Sequence, residues 1–548
     1  MIPSKIMVEH YHEKVMVEVK STEEWLAYAK HLVPVAIEKA SEVKGFQGRW
    51  KIIRSKLEQI PTRLSDLSSH PCFTKNTLCK EQLEAISETL NESLEMAEKC
   101  CNKEKQEGKL QMQSDLDALS GKIDLYLSDC GVLIKTGILG EFALTTSQGI
   151  TELLARLQIG HLDAKNKALD NLAELMREDE KTVLPLLGRS SLSALVQLLT
   201  ATSPPMVREK AVTLICTLAE SGTCNGLLVS EGVLPPLIKL LESGSSVGRE
   251  KSAIALQRLS MSGDIAPSIV GHGGVHPLIE VCCTGDAVSQ ASATCTLKNL
   301  SVIPDLLAEE VGVVSIMIDL LDSGVSKQYA AECLQNLTLS NEDMKQSVVS
   351  QGGILSLLAY LDDVGLPHEP AIRTVGNLVG TVSPESLISL GLLPRLVRVL
   401  KTGSGGAQRA AIGTICRICE SLEVKKIVGE SGCIPLLIKL LEGKASEVAA
   451  QALASLMTVG WNAREVKRDG RSVPSLVQLL DPSPQNTAKK YAVWCLGVLS
   501  RSKKCRKVMI SYGAIGYLKK LTEMDIIGSK KLLESLQRRK KLSIFTLL

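Results

Sequence analysis

A chain of 548 residues with 45% apolar side chains can bury a large core, yet only 3% are aromatic, so that core is built from Leu, Val, Ile and Ala. This composition favours closely packed helices over a β-sandwich, which draws on aromatic and β-branched strands. With 63 basic and 60 acidic residues the formal net charge is +3, too weak a field to point to nucleic acid, and the scarcity of aromatics removes base stacking as well.

The chain starts MIPSKIMVEHYHEK, without the apolar core of a signal peptide and with Ile2 where N-myristoylation needs Gly. No uninterrupted apolar stretch reaches the roughly 20 residues of a membrane span. The 16 cysteines are scattered through apolar helical runs, as in a reducing compartment. The expectation is a soluble protein of the cytoplasm or nucleus, with residues 1–19 as a mobile tail. Residues 20–135 hold four patterned segments, near 21–43, 47–68, 75–103 and 109–129, separated by KGFQG, SSHPCF and KEKQEG. They predict an up-and-down four-helix bundle able to fold by itself, followed by a linker over 136–144.

From 145 to 523 one phrase recurs, a Gly, an aliphatic residue, often a Pro, then Leu-x-x-Leu-Leu. It reads EGVLPPLIKLL, QGGILSLLAYL, LGLLPRLVRVL and SGCIPLLIKLL, among others. The landmark glycines Gly232, Gly274, Gly312, Gly353, Gly391, Gly432, Gly470 and Gly513 lie 38 to 43 residues apart. Weaker copies stand at Gly149 and Ser190, giving about nine or ten repeats of a period that belongs to helical solenoids. In the first phrase Leu234, Leu237, Ile238 and Leu241 fall on one face of a 3.6-residue period. The Gly is expected to take the left-handed conformation that ends the preceding helix. Pro235, Pro277, Pro394, Pro435 and Pro474 then sit in the first turn of the next, where a missing N–H costs little. After a polar loop comes a second helix of small and apolar residues, such as KSAIALQRLS, SATCTLKNLS, YAAECLQNLT and YAVWCLGVLS, whose alanines let neighbours approach closely. A short third helix closes each unit.

The Gly-x-x-Pro-x-Leu helix followed by Ala-x-x-Ala-Leu-x-Asn-Leu resembles the armadillo repeat. The resemblance implies an all-α fold, a right-handed superhelical solenoid preceded by the four-helix bundle. The phrase KLEQIPTRLSDL with the long helix after it, and the closing KKLTEMDIIGSKKLLESLQRRKKLSIF, resemble plant U-box/armadillo proteins. Residues 524–548 are then a capping helix and a basic tail. A U-box needs about 70 residues, and only LIKTGILGEFALTTS separates bundle from repeats, so the ligase activity of those relatives is not implied.

Other chemistry is sparse. Cys416 and Cys419 form a Cys-x-x-Cys inside a helical run without a second pair, which reads as packing rather than a zinc site. GSGG at 403–406 and GHGG at 271–274 lack the Gly-Lys-Ser/Thr ending of a phosphate loop. Cys100 and Cys101 read as a helix end rather than acylation sites. Arg538, Arg539, Lys540 and Lys541 precede Leu542, Ile544 and Phe545, a pattern that suits a solvated cap or contact with anionic lipid. The expectation is a non-enzymatic chain without catalytic residues, cofactor or metal.

The resemblance implies that the Asn-bearing helices line a concave groove, where carboxamides donate to and accept from a partner's backbone. The rung positions in order are Thr217, Arg258, Asn299, Asn336, Asn377, Arg417, Ser455 and Val498. One turn earlier, where nuclear-import adaptors repeat Trp, stand Thr213, Ile254, Cys295, Glu332, Arg373, Gly413, Gln451 and Trp494. A single Trp argues against binding basic localisation peptides. Arg258, Arg373 and Arg417 point instead to an acidic or phosphorylated partner segment, or pair with neighbouring glutamates. The predicted partner-binding set is Arg258, Asn299, Asn336, Arg373, Asn377 and Arg417, and replacing the three asparagines is expected to leave the fold nearly intact. The predicted function is a protein-interaction scaffold; the alternatives are a ubiquitin-pathway accessory without its own U-box and a membrane-associated adaptor.

Overall fold

The computed structural model describes residues 20–101, 108–135, 139, 147–159, 162–308, 310–323 and 325–537. The expected tail at 1–19, all of the linker but Leu139, and the basic run from Arg538 onward lie outside the described residues. The chain divides into two compact units, Met1–Pro236 and Leu237–Leu548.

In the first unit, α1 (Thr22–Glu42) opens with a capping box: the Ser21 hydroxyl accepts the Glu24 N–H at 3.2 Å, and the Glu24 carboxylate accepts the Ser21 N–H at 2.6 Å. The segment expected over 47–68 is two helices, α2 (Gln47–Leu57) and α3 (Ile60–Ser68). The break falls at Glu58 and Gln59 because Pro61, in the first turn of α3, has no N–H with which to continue the ladder of α2. Then come α4 (Thr77–Cys101) and α5 (Lys109–Lys135). Trp50, Ile53, Leu57, Leu64, Leu83 and Leu116 are at most 2% exposed and lie in one core.

Chain direction alternates from segment to segment, but the neighbours are not those of a plain meander. The α2 helix lies beside α5 and runs parallel to it: Arg49 meets Asp117 at 2.7 Å, and Lys56 reaches Ser120 at 2.7 Å and Asp124. The α1 helix lies beside α4, also parallel, with the Thr22 hydroxyl on the Thr74 carbonyl just ahead of α4 and Gly45 beside Cys100 near its end. The connection from α3 to α4 therefore crosses the bundle diagonally. Nor does the core stop at residue 135. Ala155 and Ile159, in and just after α6 (Ser147–Gln158), belong to it, and Arg156 holds Glu81 at 2.8 Å. The α7 helix (Leu162–Glu178) packs on α6 as the first helical hairpin of the repeat type.

The second unit is a stack. Its ladder helices are Ser246–Leu259, Ala287–Leu300, Lys327–Leu337, Glu369–Asn377, Gly405–Ile418, Ser446–Leu456 and Lys489–Leu499. Each lies against the next, and Ser529–Gln537 packs on the last. Six residues before each rung stands Ser252, Ala293, Ala330, Ala371, Ala411, Ala449 or Ala492, every one at 0% exposure. Only side chains this small allow the ladder helices to approach so closely.

The glycine landmarks need two corrections. Gly232, Gly312, Gly391, Gly432 and Gly513 are left-handed as expected, but in the pairs Gly273–Gly274 and Gly352–Gly353 the first glycine carries the positive φ, of 75° and 78°. The second is required by space. A Cβ on Gly274 would stand 2.9 Å from Ile269, and one on Gly353 2.8 Å from Val348. Gly470 is not left-handed at all.

Candidate partner-binding face

The ladder helices place their rung residues in line along one edge of the second unit, and the hydrogen bonds show what holds the line. Each helix ends in a C-cap hydroxyl, Ser260, Ser301 or Thr338, which donates back to a carbonyl three or four residues earlier. Each hydroxyl in turn accepts from the Asn of the following repeat. Asn299 Nδ2 donates to Ser260 Oγ at 2.9 Å, Asn336 Nδ2 to Ser301 Oγ at 3.1 Å, and Asn377 Nδ2 to Thr338 Oγ1 at 3.3 Å. Asn377 also donates to the Gln335 carbonyl at 3.3 Å and accepts from Arg417 Nη1 at 2.9 Å. Gly376 makes that last bond possible, because a Cβ there would stand 3.2 Å from Arg417 Nη1 and 2.8 Å from the Thr414 hydroxyl.

The asparagines are therefore inter-repeat staples. The expectation that their replacement leaves the fold nearly intact does not stand, since each substitution strands a C-cap hydroxyl that has lost its donor. What they retain for a partner is unequal. Asn377 is buried and engaged at both ends, whereas Asn299 and Asn336 are half-buried and their carboxamide oxygens accept no hydrogen bond among the described residues.

The arginines differ among themselves as well. Arg373 is exposed and forms an i,i+4 pair with Glu369 at 2.8 Å on its own helix. Arg417 is exposed beyond its bond to Asn377. Arg258 is half-buried, near Cys295 and Tyr329. On the same strip Lys298 meets Glu332 at 3.8 Å and lies 5.8 Å from the Tyr329 ring. Cys295, one turn before Asn299, is 7% exposed, and burial pushes its thiol above the ordinary range.

The Cys-x-x-Cys pair sits in packing. Cys419 is buried and Cys416 half-buried, and burial pushes their thiols up to about 12 and about 11, away from the thiolate that a metal requires.

Two features were not read from the sequence. Asn462, at 0% exposure, donates to the Lys425 carbonyl at 2.8 Å and the Leu456 carbonyl at 3.1 Å, tying three helices together over Gly429. It lies outside the ladder phrase, so periodicity could not mark it. The second is a cleft beside Trp494 lined by Arg464, Lys467 and Arg501. The density of basic residues after 460 was a signal for it.

A family model described as a domain of unknown function, DUF7032, matches residues 27–138, which spans the bundle. No curated protein matches the chain. Among solved structures, an engineered protein from a structural genomics consortium is 22% identical, covering 72% of this chain and 98% of that one, with a TM-score of 0.60. A chain from structural work on a conserved phosphorylation switch controlling the interaction between cadherin and beta-catenin is 17% identical. It covers 85% of this chain and 98% of that one, with a TM-score of 0.58. At these identities the likeness is one of fold: an armadillo-like α solenoid.

Proposed function

We propose that this chain is a non-enzymatic protein-interaction scaffold whose ladder face holds an extended segment of a partner protein. The observation that carries this reading is the unbroken row of stacked ladder helices, whose outward rungs run from Arg258 to Val498. Seven helices at about 8 to 10 Å spacing offer a strip of roughly 50 to 60 Å. An extended chain covers that with about 15 to 18 residues at 3.3 Å each. The carboxamide oxygens of Asn299 and Asn336, which accept nothing among the described residues, suit a partner's backbone N–H groups, and exposed Arg373 and Arg417 suit acidic or phosphorylated side chains. The fold likeness to a chain from work on the interaction between cadherin and beta-catenin supports the same reading. Cytoplasm and nucleus are the compartments proposed for it.

Site-specific photocrosslinking tests this. A photoreactive residue at Glu332 or Gln451, on the strip, is expected to capture the partner in cells, while one at exposed Lys439, on helix Cys433–Leu440 outside the ladder row, is not. Capture of the same partner from Lys439 alone would sink the proposal.

A further inference from the structure

The carboxyl-terminal end of the ladder face differs from the rest in charge. Residues 460–531 carry fifteen Lys and Arg against five Asp and Glu, within a chain that is nearly neutral. Between helix Gly460–Arg468 and ladder helix Lys489–Leu499 lies a cleft of about 460 Å³. Buried Met457 and half-buried Val498 contribute aliphatic surface to it, and Trp494 lines it while remaining 42% exposed. Arg464, Lys467 and Arg501 line it too, all exposed.

No described carboxylate neutralises these three cations. None of them forms an ion pair among the described residues, although exposed arginines elsewhere on this unit do, as in Arg373 with Glu369 and Arg395 with Asp362. The nearest carboxylates along the chain are already engaged: Glu465 holds Arg468 at 2.5 Å, and Asp469 holds Arg471 at 3.3 Å. Among the described residues no carboxylate lines the cleft. A half-exposed Trp over aliphatic surface, ringed by unpaired Arg and Lys, has the composition of an interface hot spot.

We propose that this cleft binds an acidic stretch of a partner protein, Asp and Glu residues flanking one bulky apolar side chain. The carboxylates meet Arg464, Lys467 and Arg501, and the apolar residue covers Trp494. The proposal deepens the scaffold reading and rests on it, since Trp494 and Val498 are rungs of the same ladder. Single-stranded nucleic acid fits less well, because it stacks on successive aromatic platforms and the cleft offers one. A lipid surface is planar, and a cleft admits a chain.

Fluorescence anisotropy on the full chain tests it, with a fluorescein-labelled peptide of about twelve residues, all Asp and Glu around a central Leu. The expected result is saturable binding that falls about tenfold or more in the triple variant R464E/K467E/R501E and about fivefold in W494A. It should fall less than about threefold in K503E/K507E/K519E, which reverses the same charge on exposed residues outside the cleft. If the reversal variant does not fold, as judged by circular dichroism, R464Q/K467Q/R501Q replaces it with the same expectation. Equal losses in the cleft and control variants would overturn the proposal, and so would unchanged binding when the central Leu is replaced by Ser. So would tighter binding of a uridine oligonucleotide, or of phosphatidylserine vesicles, that depends on the same three cations. Should photocrosslinks at Glu332 place a partner on the ladder while the peptide ignores the cleft, this inference fails and the scaffold reading survives.

Discussion

In the amino-terminal bundle the contacts that fix the fold are long-range and occur once. Arg49 reaches Asp117 across 68 residues, and Thr22 reaches Thr74 across 52, each tying together one particular pair of segments. In the second unit the fixing contacts recur: Asn299 to Ser260, Asn336 to Ser301 and Asn377 to Thr338 span 39, 35 and 39 residues and repeat one geometry. The bundle is a single closed core, so a loss anywhere is shared by all of it. The stack is held by nearest-neighbour terms, so a loss is local and is felt mainly by the repeats on either side.

The largest test of that difference is in the bundle. Trp50 is 2% exposed at the centre of the core, and Trp50→Ala is expected to cost about 4 kcal/mol through lost burial and the cavity left behind. Hydrogen exchange should then show protection falling together across α1 to α5. A loss confined to α2 would mean that the bundle is not one cooperative unit. In the stack, Asn377→Ala removes two donated bonds and one accepted from Arg417, and about 2 kcal/mol is expected. Asn336→Ala, which removes one, is expected to cost about 1 kcal/mol. Exchange should rise in the two repeats joined by the altered residue and little elsewhere. Equal costs for the two variants would count against the bond inventory.

What could be read from the sequence follows the same division. A forty-residue period shows itself eight times over, so the helices, the prolines in first turns and the column of small residues were legible from Gly232 to Gly513. The bundle's four apolar segments were legible too. Their pairing is not, because nothing local tells Arg49 that its neighbour is Asp117, and Pro61 breaks a segment whose apolar residues otherwise keep their period. The asparagine column is legible in the sequence, and its hydrogen bonding is not. Asn299, Asn336 and Asn377 were recognised as a polar column opposite a core face, but whether such a column points outward or sideways depends on the distance to the next helix. The small residues six positions earlier set that distance, close enough for each carboxamide to reach the preceding cap.

A smaller effect concerns the helix starts that the repeat must provide. The Asp286 carboxylate accepts the N–H groups of Ser289 and Val288 at 2.8 and 2.9 Å at the start of the Ala287–Leu300 ladder helix. The backbone N–H of Ser289 is the main cause that holds its pKa below the ordinary 3.8, with the Ser289 hydroxyl adding to it. Because the folded-state pKa is depressed, the stability it contributes is fully present well above pH 3.8 and is lost as pH falls through the folded value. Asp286→Ala is therefore expected to cost about 1 kcal/mol at neutral pH. In denaturant titrations repeated at decreasing pH, the gap between parent and variant should be constant down to about pH 5 and then close. A gap that persists in acid would show that the cap acts without its charge.

The smallest expected effect runs in the stabilising direction and tests the repeat logic most directly. Six of the seven residues six positions before the rungs are alanine, and the seventh, Ser252, is as fully buried as they are. Its hydroxyl has no hydrogen-bond partner among the described residues. A buried hydroxyl that has given up water and gained nothing is destabilising, and Ala is also the better helix former, so Ser252→Ala should stabilise the chain by about 0.5 kcal/mol. The reverse change in the next repeat, Ala293→Ser, places a hydroxyl in an equivalent fully buried position and should cost about as much or somewhat more. Because the two sites are equivalent positions on adjacent packed ladder helices, the double exchange also reports whether the column is a set of independent positions. Additive effects mean that each helix contact is satisfied separately. If instead the hydroxyls of Ser252 and of Ala293→Ser hydrogen-bond across the helix pair in that single variant, the double exchange, which keeps only one hydroxyl, will be less stable than the sum of the single changes, and close helix approach, rather than apolarity, will be what the column requires.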